Sequence, residues 1–386
     1  MYNITTLNKI SKIGLDRFND NYNCADEHEA PDAIMVRSAS MHEMEMPKSL
    51  LAIARAGAGV NNIPCDKCAE QGIVVFNTPG ANANAVKELV LAGLLMCSRK
   101  VVPAIDWAKT LKGNGAEVGK MVEKGKGAFA GPEIMGKKLG VIGLGAIGVM
   151  VANAANHLGM TVYGNDPYLS VKSAWNLNHN AVYINDINEI YANCDYITIH
   201  VPLVDGTKKM INTDTIAKMK DGVRILNFSR AALVDDAAMI NALQSGKVAS
   251  YVTDFPTDEV LDVEGVIAIP HLGASTPESE DNCASMASKE LIDYIENGNI
   301  VNSVNLPEVT MPRSGDNRVC VIHKNIPNMI TKITGLVSDD GINIENLLNK
   351  SKGDYAYTML DIGAADVAVL EKEINDIEGV IRVRII

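Results

Sequence analysis

No uninterrupted apolar run in the 386-residue chain reaches membrane-spanning length, so a membrane protein is not expected. The opening residues Met-Tyr-Asn-Ile-Thr-Thr lack the charged and apolar regions of a signal peptide. An excess of basic charge is also missing. The 35 Lys and Arg stand against 47 Asp and Glu, a net charge of −12, which argues against nucleic acid or an anionic membrane as partner. A phosphorylated substrate would need a local basic pocket against that acidic background. With only 14 prolines and 47% hydrophobic residues, the chain reads as globular rather than disordered. Cys65 and Cys68 form a CxxC pair, but there is no second pair of the kind a zinc site wants, and no metal is expected. The odd count of seven scattered cysteines points to reduced thiols and a cytoplasmic setting.

What is present is a dinucleotide fingerprint. The apolar run Leu139–Ile142 reads as a strand, Gly143-Leu-Gly-Ala-Ile-Gly148 as the turn, and Val149–Leu158 as a helix. Thr161–Gly164 reads as a second strand that leads to Asp166. Gly143 allows the turn, Gly145 admits a pyrophosphate, and Gly148 permits close packing of helix on strand. Unpaired N–H groups at the helix start, with Ala146 and Ile147, face the phosphates. Asp166 suits the ribose hydroxyls. Pro167 and Tyr168 follow it instead of a basic residue, which favours NAD over NADP.

The length predicts two or three domains. Residues 33–37, 51–55 and 73–76 read as buried strands and 84–96 as a helix, an α/β pattern. Residues 109–130, rich in glycine and lysine, read as a solvated loop, or as a basic arm reaching an anion. Residues 138–275 alternate strand and helix, which implies a doubly wound parallel sheet. Residues 306–316 read as a linker, and 317–386 as a small βαββαβ domain. The strand ends carry His200, Asn227–Arg230, Asp254–Glu259 and Pro270-His271, which are the polar groups that hydride transfer from a hydroxyl carbon needs. Histidine suits the proton transfer because its ordinary pKa lies near working pH. A guanidinium suits a substrate carboxylate.

Val36-Arg-Ser38, Arg55 to Asn62, Asn77-Thr-Pro79, the Gly143 fingerprint, His200 to Leu203, Asn227 to Arg230 and Pro270-His271 occur in this order. Over residues from about 30 to 305 the chain resembles the D-2-hydroxyacid dehydrogenase family. The resemblance implies an α/β fold of two doubly wound domains. They are a flavodoxin-like substrate domain (1–97 and 276–307) and a Rossmann NAD domain (98–275), followed by a linker at 308–316. It makes His271 the acid/base, Arg230 the carboxylate clamp, and Glu259 the partner of His271, although a second alignment puts that partner at Asp258. Asp254 would bind the nicotinamide amide. Further coenzyme contacts fall on Ala58, Val201, Phe228, Ser229, Gly273 and Ala274. The substrate would meet Ser38, Gly57 and Ala58, with Arg37 and Arg55 on its phosphate.

Residues 317–386 resemble an ACT domain, a module that binds amino acids. His323, Asn325 and Asn343 match its serine contacts, and Asn328 stands where glycine is usual. The expected activity is NAD-dependent oxidation of 3-phospho-D-glycerate to 3-phosphooxypyruvate, the entry to serine, by a homodimer or homotetramer. The alternatives are a dehydrogenase of glycerate, lactate or 2-hydroxyglutarate, and an NADH-sensing scaffold.

Overall fold

Five short strands, Tyr2–Leu7 (β1), Tyr22–Ala25 (β2), Ala33–Val36 (β3), Ala52–Arg55 (β4) and Val74–Asn77 (β5), form one sheet in the order β2-β1-β3-β4-β5. Every pairing in it is parallel, and the order is that of a flavodoxin-like doubly wound sheet. β1 and β2 were not anticipated. A second parallel sheet holds Lys138–Ile142 (β6), Thr161–Asn165 (β7), Val182–Tyr183 (β8), Tyr196–Ile199 (β9), Val223–Asn227 (β10), Val248–Thr253 (β11) and Val266–Ala268 (β12). Its order, β12-β11-β10-β9-β6-β7-β8, puts the strand before the glycine turn, β6, in the sheet interior between β9 and β7. Asn317–Lys324 (β13), Ile344–Lys352 (β14), Tyr355–Ile362 (β15) and Val380–Ile385 (β16) make an antiparallel sheet in the order β14-β15-β13-β16. With helices Met329–Asp339 and Val367–Asn375 this is the expected βαββαβ unit. The computed structural model describes residues 1–386, and no helix is long and apolar enough to cross a membrane.

The chain divides into two units, Met1–Asn82 with Pro277–Ile386, and Ala83–Thr276. The first break falls at residue 82 and not at 97. The reason is packing: helix Ala83–Arg99 buries Val86, Val90, Leu94 and Cys97 in one core with Val141, Leu226, Phe228 and Val252. The C-terminal domain likewise does not stand apart from the first sheet. Cys320, Ile322, Tyr357 and Met359 share a core with Phe76, Leu291, Tyr294 and Ile295.

Helix Pro277–Asn297 joins these layers. Proline at its start needs no N–H partner, and Glu278 and Glu280 complement the positive end of its dipole. Gly298, with φ +71°, ends it. Its last carbonyls are capped from the C-terminal domain. Arg384 donates to Tyr294 and Ile295 oxygens at 3.1 and 2.7 Å. Arg318 donates to Asn297 O at 2.9 Å, and the Tyr357 hydroxyl to Gly298 O at 2.7 Å. Arg318 and Asp361 form a fully buried bidentate pair at 2.6 and 2.8 Å.

The glycine- and lysine-rich stretch 109–130 is mainly helical, with an α-helix at Val118–Gly125 between short 3₁₀ turns at Gly115–Glu117 and Lys126–Phe129. Three of its lysines lie three residues after an acid and pair with it: Lys109 with Asp106, Lys120 with Glu117, and Lys126 with Glu123. Those local pairs support the turns that the glycines alone would disfavour.

Candidate active site

The glycine turn has the shape a coenzyme needs. Gly143 takes φ +93°, and a Cβ there would meet the His200 carbonyl at 2.6 Å. At Gly148 a Cβ would fall on the Gly143 carbonyl, so the helix can start only with glycine there. Gly145 faces open space, which leaves room for a pyrophosphate over the N-terminus of helix Ala146–His157. Asp166 closes the turn by accepting from the Leu144 and Tyr168 N–H groups, both at 2.8 Å. A carboxylate has about four acceptor directions, so two remain for ribose hydroxyls. The site therefore fits a dinucleotide.

Past the ends of β9, β10 and β11 the polar residues are held locally. Asn227 donates to the Arg230 carbonyl at 2.9 Å and accepts from Ser229 N–H at 3.2 Å. The Ser229 hydroxyl donates to Ile199 O at 2.8 Å. These bonds present the half-buried Arg230, whose guanidinium lies 5.6 Å from the centre of the Phe255 ring. His271 packs on the other ring contact of Phe255, with centroids 4.4 Å apart. Its backbone N–H bonds Asp254 O at 3.0 Å. Phe255, absent from the expected site, thus touches both proposed reacting side chains; its place directly after Asp254 was the available signal.

Asp254 is 2% exposed, and its Oδ1 has no partner. Burial raises its pKa, while His271, the Gly273 N–H and Arg230 oppose the rise. An unpaired buried acceptor at this position suits an amide N–H donor such as the nicotinamide carboxamide. His200 differs. Its Nε2 meets Thr198 Oγ1 at 2.9 Å, and burial pushes its pKa down to about 3, so it stays neutral at working pH. The expected pairing of Glu259 with His271 is not formed. Buried Val260 anchors a 3₁₀ turn at Asp258–Val260 that leaves both Asp258 and Glu259 exposed, and neither makes a hydrogen bond or ion pair.

In the first unit, Arg37 and Arg55 follow or end adjacent strands. Arg37 pairs with Glu280 at 2.8 Å, and Arg55 Nε donates to the Arg37 carbonyl at 3.1 Å. The Arg55 guanidinium lies over Gly57, where any Cβ would collide with it. Ser38 N–H bonds the Asn8 side chain at 3.0 Å, and the Ala58 carbonyl accepts from Asn77 Nδ2 at 2.6 Å. A loop with backbone N–H groups, capped by a guanidinium, can hold an anion.

Residues 91–273 match the family described as D-isomer specific 2-hydroxyacid dehydrogenase, NAD binding domain. The chain is 31% identical over 355 residues to the D-3-phosphoglycerate dehydrogenase of Haemophilus influenzae, covering 89% of this chain and 83% of that one. The chain belongs to the D-isomer-specific 2-hydroxyacid dehydrogenase family. A second relative, the D-3-phosphoglycerate dehydrogenase of Bacillus subtilis, is 35% identical over 294 residues, 74% of this chain but only 53% of that longer protein. Among solved structures, NAD⁺-bound 3-phosphoglycerate dehydrogenase of Entamoeba histolytica superposes with a TM-score of 0.62 at 25% identity, covering 79% of this chain and 98% of that one.

Two features of this family member concern its C-terminal domain and cysteines. His323 is 2% exposed, and both ring nitrogens are engaged, one with Lys324 O and one with Thr358 Oγ1, each at 2.8 Å. It has no nitrogen left for a ligand, contrary to its expected role. Asn325 donates to Gly353 O at 3.1 Å, and Asn343 to Glu345 at 2.7 Å. Asn328 adopts φ +68°, so the turn usually made by glycine is kept by the residue that tolerates it best after glycine. Cys65 and Cys68 lie on helix Cys65–Glu70, where burial pushes Cys68 up to about 12, the environment of an inert thiol.

Proposed function

We propose that this dehydrogenase oxidises 3-phospho-D-glycerate to 3-phosphooxypyruvate with NAD, the first step of the phosphorylated route to serine. The observation that carries the reading is the grouping of Arg230 and His271 on the Phe255 ring, with Asp254 close to both. NAD, when bound, supplies the acceptor for the hydride leaving C2. His271 takes the C2 hydroxyl proton on its imidazole as the carbonyl forms. Arg230 holds the carboxylate and stabilises charge on the C2 oxygen. Asp254 orients the carboxamide through its unpaired Oδ1. The Gly143, Gly145 and Gly148 turn and helix start, with Ala146 and Ile147, bind the pyrophosphate, and Asp166 the ribose. Val201, Phe228, Ser229, Gly273 and Ala274 line the coenzyme. Glu259 reaches the imidazolium only if the 258–260 turn rotates. Ser38, Gly57 and Ala58 bind the carboxylate end of the substrate, and Arg37 and Arg55 the phosphate, which must displace Glu280 from Arg37.

Reduced-nicotinamide absorbance with a panel of hydroxy acids tests this. 3-Phosphoglycerate is expected to exceed glycerate, lactate and 2-hydroxyglutarate in kcat/KM by at least about hundredfold, and Arg37→Ala and Arg55→Ala to erase most of that margin. Equal rates for glycerate and its phosphate would refute the substrate assignment. NADH binding without turnover of any hydroxy acid would favour the sensing scaffold. The C-terminal domain is read as an ACT module, and a homodimer or homotetramer as the working form. Serine at that module is supported by the Asn328 turn and would meet Asn325 and Asn343, the two expected contacts besides His323. The seven free cysteines support a cytoplasmic setting.

A further inference from the structure

The edge of the first sheet leads from the C-terminal domain to the substrate loop. β5 is its edge strand, and an open edge has unpaired backbone groups that need cover. The segment at residues 302–305 provides it. Ser303 bridges Phe76, Val304 N–H donates to Val75 O at 2.9 Å, and Asn77 N–H donates to Asn302 O at 3.3 Å. Asn305 accepts from Val75 N–H and donates to Ile73 O, both at 2.9 Å.

Lys352 holds the other side of this segment. It ends β14, and its ammonium donates to the carbonyls of Ser303 at 3.1 Å and Val304 at 3.0 Å. A compact ammonium with three donors can serve two neighbouring carbonyls at once. The hairpin turn beyond it is fixed by Asn325, whose N–H bonds Asp354 O at 2.8 Å and whose amide bonds Gly353 O at 3.1 Å. At the far end of β5, the Asn77 amide donates to Ala58 O at 2.6 Å, and Thr78 N–H to Gly57 O at 3.1 Å. Gly57 takes φ +152°, a backbone conformation that L residues rarely adopt. Glycine adopts it without strain but is equally free to leave it, so the bonds from Asn77 and Thr78 are what fix the loop.

We infer that Lys352 is a positioning residue for the hydroxy-acid substrate. It clamps the 302–305 segment, the segment sets β5 and Asn77, and Asn77 sets the Gly57–Ala58 loop that receives the substrate. The inference rests on the dehydrogenase reading only for its kinetic test. The experiment uses the full chain with Lys352→Ala, Lys352→Arg and Asn77→Ala. In Lys352→Ala, KM for 3-phosphoglycerate is expected to rise about five- to twentyfold, while kcat and KM for NAD stay within about twofold. Amide exchange at Asn77 and Thr78 should quicken by about tenfold or more. Lys352→Arg should restore both readouts. The double variant Lys352→Ala with Asn77→Ala should be no worse than Asn77→Ala alone, because both act on one loop. Unchanged exchange at residues 77–78 in Lys352→Ala overturns the inference, whatever the substrate. So does faster exchange with no rise in KM, or an equal rise in KM for NAD. If the unsubstituted chain turns over no hydroxy acid while the exchange result holds, the substrate reading fails and the clamp on the loop stands.

Discussion

Glu290 lies in helix Pro277–Asn297, only 7% exposed, with Oε1 accepting from Asn302 Nδ2 at 2.7 Å and Oε2 without a partner. Burial raises its pKa from the ordinary 4.5 to about 8, opposed only by the Asn302 hydrogen bond. That gap corresponds to about 5 kcal/mol. The sign follows from linkage. The folded chain binds this proton more tightly than the unfolded chain, so the stability it contributes is fully present below the unfolded pKa. It is lost as pH rises toward and through the folded pKa, at about 1.4 kcal/mol per pH unit. Glu290→Gln keeps the shape and removes the titration. Its offset from an imperfect amide contact, about 1–3 kcal/mol, does not vary with pH. Between pH 5.5 and 7.5 the stability of Glu290→Gln relative to the unsubstituted chain should therefore rise by about 2–3 kcal/mol. The measurement is urea unfolding followed by far-ultraviolet circular dichroism. Both tryptophans, Trp107 and Trp175, lie in the other unit and would report on that one. Hydrogen exchange over residues 284–295 gives the local value. A stability difference that changes by less than about 1 kcal/mol over this range would show that the carboxyl is not held protonated in the fold.

Further perturbations test other parts of the fold and site. Arg318→Ala leaves Asp361 buried without its cation, in a site where burial would raise the carboxyl but Arg318 and Ser314 hold it below its ordinary value. Loss of about 3–5 kcal/mol by calorimetry is expected, and a loss below about 1 kcal/mol would contradict the assigned pair. His271→Asn should lower kcat by about 10²–10⁴-fold with NADH affinity unchanged by fluorescence titration; retained turnover would remove His271 from proton transfer. Asp254→Asn should weaken NAD binding by less than about tenfold while lowering kcat, and an unchanged kcat would refute its orienting role.

Much of the site was legible because its constraints are local. The Gly143 turn is written in residues that must lack a Cβ, and Asp166 bonds N–H groups close to it in sequence or on the same turn. The strand-to-helix alternation of 138–275 was visible because parallel strands buried on both faces read as continuous apolar runs. The Glu259–His271 pair was not recoverable from spacing. Counting residues does not say which way a 3₁₀ turn faces, and here the buried Val260 decides it. Likewise, glycine content in 109–130 hid helices whose support comes from ion pairs three residues apart.

By itself, the order of residues determined the nucleotide-binding turn, the parallel alternation of 138–275 and the βαββαβ end of the chain. Backbone conformation, side-chain period and glycine sterics act over a few neighbours. Tertiary structure alone decided that helix Ala83–Arg99 joins the nucleotide sheet, and that Arg318, Tyr357 and Arg384 cap a helix ending near residue 297. It alone buried Glu290 against Asn302. Those outcomes depend on which distant surfaces exclude water together, and on which carbonyls and carboxyls then lack a solvent partner. No local pattern records that.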